Sequence, residues 1–155
     1  MATKKIIAVV GATGAQGGSL VRAILADTES EFTPRAITRN PDSDKAKALA
    51  KAGAEVVRAD IDDGASLERA FDGAHGAFLV TNFWEHFSPE REYAQAGNMA
   101  RAAKKAGVKI GLCGQAPSDR PVFARLLVEA GIDSISFNPD ALLRGIENIS
   151  LAEKT

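Results

Sequence analysis

The first seventeen residues constrain the fold more than any other part of the chain. An apolar, β-branched run from Lys5 to Val10 leads directly into three glycines, Gly11, Gly14 and Gly17, and then into an amphipathic stretch. Glycines at the spacing G-x-x-G-x-x-G between a strand and a helix have three uses. They permit a tight turn, they let a ligand approach the bare backbone, and they let the helix pack closely on the strand. The helix N-terminus attracts phosphate. The pattern predicts a pyrophosphate site, with a purely structural turn as the alternative.

Apolar runs alternate with helical stretches along the whole chain. The runs are mostly continuous, which is typical of parallel strands that are covered on both faces. Six βα units predict an α/β fold of Rossmann type: a doubly wound parallel sheet of six strands, order 3-2-1-4-5-6, with helices on both faces. A flavodoxin-like order is the alternative, and 155 residues predict a single domain, 1–155. The predicted strands are Lys5–Val10, Arg35–Thr38, Glu55–Arg58, Gly76–Val80, Lys109–Leu112 and Ser134–Phe137.

Helix boundaries can also be predicted from the sequence. A capping side chain precedes a proline in three dipeptides, and a glycine stands where each of three helices should end. The dipeptides are Asn40-Pro41, Ser88-Pro89 and Asn138-Pro139, and the glycines are Gly53, Gly107 and Gly131. The predicted helix Pro89–Ala106 carries a packing face of Tyr93, Ala96, Met99, Ala100 and Ala103.

Composition excludes several classes of partner. A net charge of −1 gives no basic excess for a nucleic acid, and the apolar run Ile6–Val10 is too short for a signal sequence or a membrane span. We therefore expect a cytoplasmic protein without nucleic-acid or membrane partners. We expect Phe83, Trp84 and Phe87 to form an exposed aromatic patch that either covers a cofactor or faces a missing domain. An exposed patch of this kind favours dimerisation, so we expect a monomer or a weak homodimer.

No metal site is expected. The single cysteine, Cys113, cannot build a disulfide or a cysteine cage within the chain. Asp60, Asp62 and Asp63 resemble the start of a calcium loop, but the position that requires glutamate is Phe71. Asp62 or Asp63 is better interpreted as a helix cap.

The residue after the second predicted strand indicates which dinucleotide is bound. Cofactors with a free ribose 2′-hydroxyl require an acidic residue there, whereas this chain has Arg39. A guanidinium can make forked, charge-assisted contacts with a 2′-phosphate. Arg39 therefore predicts NADP, with a solvated loop arginine as the alternative. Asp60 follows the third strand, where it could border the adenine.

Four motifs lie within residues 6–108. They are the loop from Gly11 to Gly18, Thr38–Pro41, Gly53–Val57 with Asp60, and Val80–Glu85. Together they resemble the NmrA-like branch of the short-chain dehydrogenase/reductase superfamily. The resemblance implies an NADP-binding domain, and several members of that family act as redox sensors or regulators. It implies that Gly11, Thr13, Gly14, Gln16 and Gly17 hold the pyrophosphate, that Arg39 holds the 2′-phosphate, and that Thr81, Asn82 and Phe83 lie towards the nicotinamide.

Residues 109–155 resemble a different family. The segments Ile110–Asp119 and Leu127–Asp140 look like the end of the phosphoenolpyruvate synthase (β/α)8 barrel, two βα units long. The resemblance implies a general-acid role for Cys113, but a lone cysteine lacks the partners that enolate chemistry requires, so we expect it to be vestigial. Two unrelated families in one chain favour an engineered chimera, with a natural recombinant as the alternative.

The sequence offers no complete catalytic set. Reductases of this superfamily usually pair a tyrosine with a lysine four residues later, whereas the only tyrosine, Tyr93, is followed by Gly97. We expect Tyr93 to be a core or boundary residue, and the protein to be a non-enzymatic scaffold that retains NADP(H) binding at most. The alternatives are a natural NADP-binding redox sensor or regulator, and a remnant phosphoenolpyruvate or pyruvate phosphotransferase.

Overall fold

The computed structural model describes residues 3–113, 115–129 and 131–154. The chain forms two compact units, Met1–Val108 and Lys109–Thr155. The boundary falls where the two resemblances meet, directly after the helix terminator Gly107 (φ +68°). Among the described residues, no helix combines the length and apolar character needed to cross a bilayer.

The first unit is a four-stranded parallel sheet with helices between the strands. Its strands are β1 (Lys5–Val9), β2 (Phe32–Thr38), β3 (Glu55–Arg58) and β4 (Gly76–Phe78), and its helices are α1 (Ala15–Ala26), α2 (Asp44–Lys51), α3 (Gly64–Phe71), α4 (Phe83–His86) and α5 (Pro89–Lys105). The strands lie in the order β3-β2-β1-β4. This order places the carboxyl end of β1 between those of β2 and β4, which is the usual ligand position in open α/β sheets.

Strand β2 begins three residues before the predicted start because Pro34 is accommodated inside the sheet. Pro34 pairs in register with Ile7 of β1, but the ladder with β3 starts only at Arg35, opposite Glu55. A proline lacks the N–H that a central strand would need on both sides. Pro34 is tolerated since it lies outside the β2–β3 ladder.

The core of the first unit lies between the sheet and its helices. Val9, Ala36 and Val21 pack together on the side of α1, while α3 and α5 pack on each other. Burying such side chains contributes about 25 cal/mol per Å² of apolar area. The predicted face of α5 is partly wrong: its buried side chains are Gln95, Met99, Ala102 and Ala103, and Tyr93, Ala96 and Ala100 are exposed. The helix is rotated from the prediction since Asn98 donates to the carbonyl of Ile61 and Gln95 to Asp62.

The described residues of the second unit form one parallel pair of strands and four helical segments. They are β5 (Gly111–Cys113), α6 (Gln115–Asp119), α7 (Pro121–Glu129), β6 (Ser134–Ser136), a 3-10 turn (Pro139–Ala141) and α8 (Leu142–Ala152). Leu112 pairs with Ile135, and α7 packs against α8. Gly145 lets α8 pack closely on the ring of Phe137, which would lie 2.8 Å from an added Cβ.

The α/β prediction with parallel strands and a Rossmann-like order β3-β2-β1-β4 is confirmed. All six predicted strands occur, but their ladders form two sheets, of four and two strands, rather than the single predicted sheet. Strands β4 and β5 have only three residues each, so each offers ladder hydrogen bonds along a short length. The three glycine terminators have positive φ as predicted, with Gly53 at +107° and Gly131 at +78°.

Helix starts follow the predictions in part. Ser88 caps α5, since its hydroxyl accepts from the amide of Arg91 at 3.2 Å. Helix α2 begins after Ser43, whereas Asn40 instead accepts from the amide of Asp42 in a turn. Asparagine side chains favour such local turns, so the predicted cap at Asn40 is displaced by three residues.

Candidate dinucleotide site

The glycine loop connects β1 to α1 with very little room. Gly11 has a φ of +66°, which favours glycine, and the Gly14 amide donates to the Gly11 carbonyl at 2.9 Å. A Cβ on Gly17 would lie 2.5 Å from the Gly11 carbonyl oxygen. The N-cap of α1 is Gly14, which has no capping side chain. The first-turn amides can therefore donate to an anion.

A cleft of about 770 Å³ opens above this loop, entirely within the first unit. Its walls come from the glycine loop, from residues after β2, and from residues after β4. A volume of this order is typical of small-molecule and cofactor sites. The sequence-predicted residues that line it are Gly11, Thr13, Gly14, Gln16, Gly17, Arg39, Thr81, Asn82 and Phe83.

Asp60 does not line the cleft, although its neighbours Ala59 and Ile61 do. Its carboxylate accepts from the Asp62 amide at 3.0 Å and closes the turn before α3. Asp63 is the N-cap of α3 and accepts from the amides of Ala65 and Ser66. The interpretation of this acidic segment as a cap is therefore supported by its hydrogen bonds.

Asp62 joins the same turn to α5. Its carboxylate accepts from Arg91 Nη2 at 2.7 Å and from Gln95 Nε2 at 3.0 Å. The hydrogen bond from Arg91 lowers the pKa of Asp62 below its usual value, and that from Gln95 adds to the effect. Within the described part of the chain, no three His, Cys, Asp or Glu side chains are grouped to hold a metal ion.

Arg39 forms an ion pair with Glu85 at the mouth of the cleft. Its Nη1 donates to Glu85 Oε1 at 2.8 Å, and both side chains are about half exposed. The hydrogen bond and charge of Glu85 raise the pKa of Arg39, so the guanidinium stays charged. Sequence reasoning missed Glu85 because 46 residues separate it from Arg39, and no local pattern reports such a pair.

A second polar pair lies beside β4. The Thr81 hydroxyl donates to Glu92 Oε1 at 2.7 Å, and both residues line the cleft. Because its proton is used by Glu92, the Thr81 oxygen is left to accept a hydrogen bond from a ligand. Ser43 and Lys45, at the start of α2, also line the cleft. Of these four cleft residues, the sequence predicted only Thr81 as part of the site, and Ser43, Lys45 and Glu92 were missed.

Aromatic side chains surround the end of the cleft formed by α4. Phe83 and Trp84 line it and meet edge to face, with ring centroids 5.7 Å apart. Trp84 and Phe87 are 74% and 66% exposed as predicted, whereas Phe83, the third residue of the predicted exposed patch, is half-buried. Tyr93 is 83% exposed, and its predicted place in the core or at its boundary is therefore wrong. Its helix turns this position to solvent because Gln95 and Met99 occupy the buried face.

The remaining sequence candidate is Cys113, at the end of β5 in the second unit. Its side chain lies outside the described residues, and its vestigial role stays a prediction. So do the ligand contacts predicted for the residues of the cleft.

Comparison with known proteins gives two families. The model of the NmrA-like family matches residues 3–112, and that of the PEP-utilising enzyme, PEP-binding domain, matches residues 79–152. The chain is 45% identical over 108 residues to the NmrA-like family domain-containing oxidoreductase FrzB of Cladobotryum sp, covering 67% of this chain and 32% of FrzB. Over 52 residues it is 62% identical to phosphoenolpyruvate synthase of Synechocystis sp., covering 34% of this chain and 6% of that protein. The predicted chimeric composition is confirmed.

A solved structure extends this result. The triphenylmethane reductase of Citrobacter sp., complexed with NADP(H), superposes with a TM-score of 0.62 at 28% identity, covering 96% of this chain and 46% of the reductase. The chain thus spans about a third of FrzB and about half of the reductase.

These comparisons correct one expectation. The prediction that the chain is not an enzyme is wrong, because its NmrA-like relatives are named oxidoreductases and its structural neighbours include reductases. The expectation rested on the missing tyrosine–lysine pair, with Gly97 four residues after Tyr93. In nicotinamide-dependent enzymes the cofactor itself carries the redox chemistry, and the protein positions it. The absence of one proton-donating pair therefore does not exclude an enzyme.

Proposed function

We propose that this chain, which belongs to the NmrA-like family, binds NADP(H) in the cleft of its first unit as the cofactor-binding part of an oxidoreductase. The observation that supports the proposal most strongly is the close packing at Gly17, where an added Cβ would overlap the Gly11 carbonyl oxygen. Only glycine keeps the start of α1 this close to β1, so the amides of the helix can approach a pyrophosphate.

The residues of the cleft fit the rest of the cofactor. Arg39 and Lys45 supply positive charge on the side of β2 and α2, as a 2′-phosphate requires. The Thr81 oxygen can accept from an amide group such as that of a nicotinamide, and Phe83 offers an apolar surface beside it. When bound, NADPH supplies the hydride of the reaction. The NADP(H) complex of the Citrobacter reductase supports this choice of cofactor.

Titration with NADPH and with NADH tests the proposal, followed by nicotinamide fluorescence and by thermal unfolding. NADPH at one hundred times its dissociation constant should stabilise the protein by about 2.7 kcal/mol. We expect NADPH to bind more tightly than NADH, since only NADPH offers Arg39 a 2′-phosphate. A melting temperature unmoved by millimolar NADPH would overturn the proposal.

We also propose that the two segments, 1–108 and 109–155, fold as one Rossmann-like domain in an engineered recombinant. Both parent folds consist of right-handed βα steps, which supports the compatibility of the segments. The boundary between units follows Gly107, at the end of a helix rather than within an element. A single cooperative unfolding transition is expected by circular dichroism, whereas two separated transitions would contradict one domain.

A further inference from the structure

The Arg39–Glu85 pair bridges the two sides of the cleft. Arg39 directly follows β2, and Glu85 lies on α4, beyond β4. In the order β3-β2-β1-β4 these strands flank β1, whose end leads into Gly11. The contact of 2.8 Å therefore connects the two walls of the cleft.

We infer that Glu85 competes with the ligand's 2′-phosphate for Arg39 and so lowers the affinity and the selectivity of this site for NADP(H) over NAD(H). The inference rests on the proposed function. Arg39 is the arginine that lines the cleft, and its Nη1 already donates to a carboxylate. A phosphate that accepts from this guanidinium must displace Glu85 or share the donors with it.

Other charged groups near Arg39 do not form the same contact. Asp60 and Asp62 act on the guanidinium only through their charge, whereas Glu85 both accepts its hydrogen bond and contributes charge. The Asp62 carboxylate is held by Arg91 and Gln95, and that of Asp60 by the Asp62 amide. Glu85 is thus the carboxylate whose removal releases Arg39.

The size of the effect follows from the exposure of the pair. Both side chains are about half exposed, and exposed ion pairs shift an equilibrium by at most about fivefold. If only some of the molecules have Arg39 free to bind the phosphate, the apparent affinity for the ligand is reduced by that fraction. Glu85→Gln should therefore tighten NADPH binding by about two- to fivefold. The change for NADH should stay below about 1.5-fold, since NADH has no 2′-phosphate to exchange for the carboxylate.

The experiment is a titration of the full chain and its Glu85→Gln variant with NADPH, NADH, 2′,5′-ADP and AMP. We expect the variant to bind NADPH and 2′,5′-ADP more tightly, with NADH and AMP unchanged. Glu31→Gln is the matched control because Glu31 forms an equally short exposed pair with Lys5, away from the cleft. In an Arg39→Gln background, Glu85→Gln should lose most of its effect, because the competition needs the guanidinium.

Different failures of this experiment are distinguishable. Equal NADPH affinity in parent and variant overturns the competition while leaving the proposed function standing. An equal gain for NADH and NADPH also overturns it, because Glu85 would then act on the cleft as a whole. If neither the parent nor the variant binds NADPH or 2′,5′-ADP at millimolar concentration, the proposed function and this inference both fall.

Discussion

The two units of the chain differ in how fully they bury their apolar side chains. In the first unit, Phe71, Leu67 and Val9 are completely buried between sheet and helices. In the described part of the second unit, the buried apolar side chains are small, namely Pro117, Ala124 and Ala152. Large apolar side chains are exposed there on helices α7 and α8, namely Val122, Leu126, Leu142, Leu143, Ile146 and Leu151.

The candidate site lies in the first unit, which is the unit that buries its apolar side chains more fully. The cleft is built from residues at the carboxyl ends of the four neighbouring strands β1 to β4, and buried side chains of the core fix those ends. A ligand site needs such support, since its groups must hold their positions without the ligand. The described residues of the second unit supply two three-residue strands and a large exposed apolar surface. We therefore expect substitutions of large apolar side chains in the two units to have very different effects on stability.

The largest expected effect is on stability. Phe71→Ala should lower the free energy of unfolding by about 3–5 kcal/mol, because it removes a fully buried ring and leaves a cavity. Leu143→Ala, at a side chain that is 79% exposed, should change it by less than about 0.5 kcal/mol. Urea denaturation measures both. Similar losses of unfolding free energy in the two variants would contradict the difference in burial between the units. They would indicate that the apolar surface of α8 is covered in solution.

The next effect concerns the glycine loop. Gly17→Ala should weaken NADPH binding by at least about tenfold, because the added Cβ pushes α1 from β1 and removes charge-assisted hydrogen bonds to phosphate. The control is Gly97→Ala, whose nearest contact is the flexible tip of Arg101. The readout is the dissociation constant from nicotinamide fluorescence. Retention of full affinity in Gly17→Ala would remove the loop from the binding site.

A smaller and more selective effect is expected at Arg39. Arg39→Gln should weaken NADPH binding by about tenfold and leave NADH nearly unchanged. This is the lower end of the range for a lost charge-assisted hydrogen bond, because the Arg39 side chain is about half exposed. The ratio of the two dissociation constants is the measurement. An equal loss for both cofactors would mean that Arg39 supports the loop rather than the 2′-phosphate.

The smallest effect is a pH dependence at Asp62. Its folded pKa lies below the ordinary 3.8, so the stability that this carboxylate contributes is fully present above pH 3.8 and is lost as pH falls through the folded pKa. Asp62→Asn should therefore be slightly less stable than the parent at pH 7, and the difference should shrink below pH 3.8. Denaturation midpoints at pH 7, 5 and 3 measure it. A difference that grows at low pH would contradict the sign of the pKa shift.

Local signals in the sequence predicted much of the fold. The glycine loop, the cap at Ser88 and the terminators Gly53 and Gly131 depend on neighbours within a few residues, and the structure has each as predicted. The start of β2 was missed since a proline indicates a strand end, and only the register with β1 shows how Pro34 is accommodated.

Long-range pairs were not predictable from one sequence. Glu85 meets Arg39 and Glu92 meets Thr81 because β2, β1 and β4 are neighbours in the sheet, and neither pair has a local pattern. The exposure of Tyr93 was also missed, because the phase of α5 is set by bonds from Gln95 and Asn98 to the turn before α3.

We propose that the residues of the first unit form the dinucleotide site by themselves. NADPH titration of isotope-labelled protein, followed by amide chemical shifts, reports directly which residues meet the ligand. We predict saturable shifts at Gly11–Gly17, at Arg39 and at Thr81–Glu85, with residues 109–154 unaffected near the same saturation. Shifts confined to residues 109–154, or none at millimolar NADPH, would contradict the account.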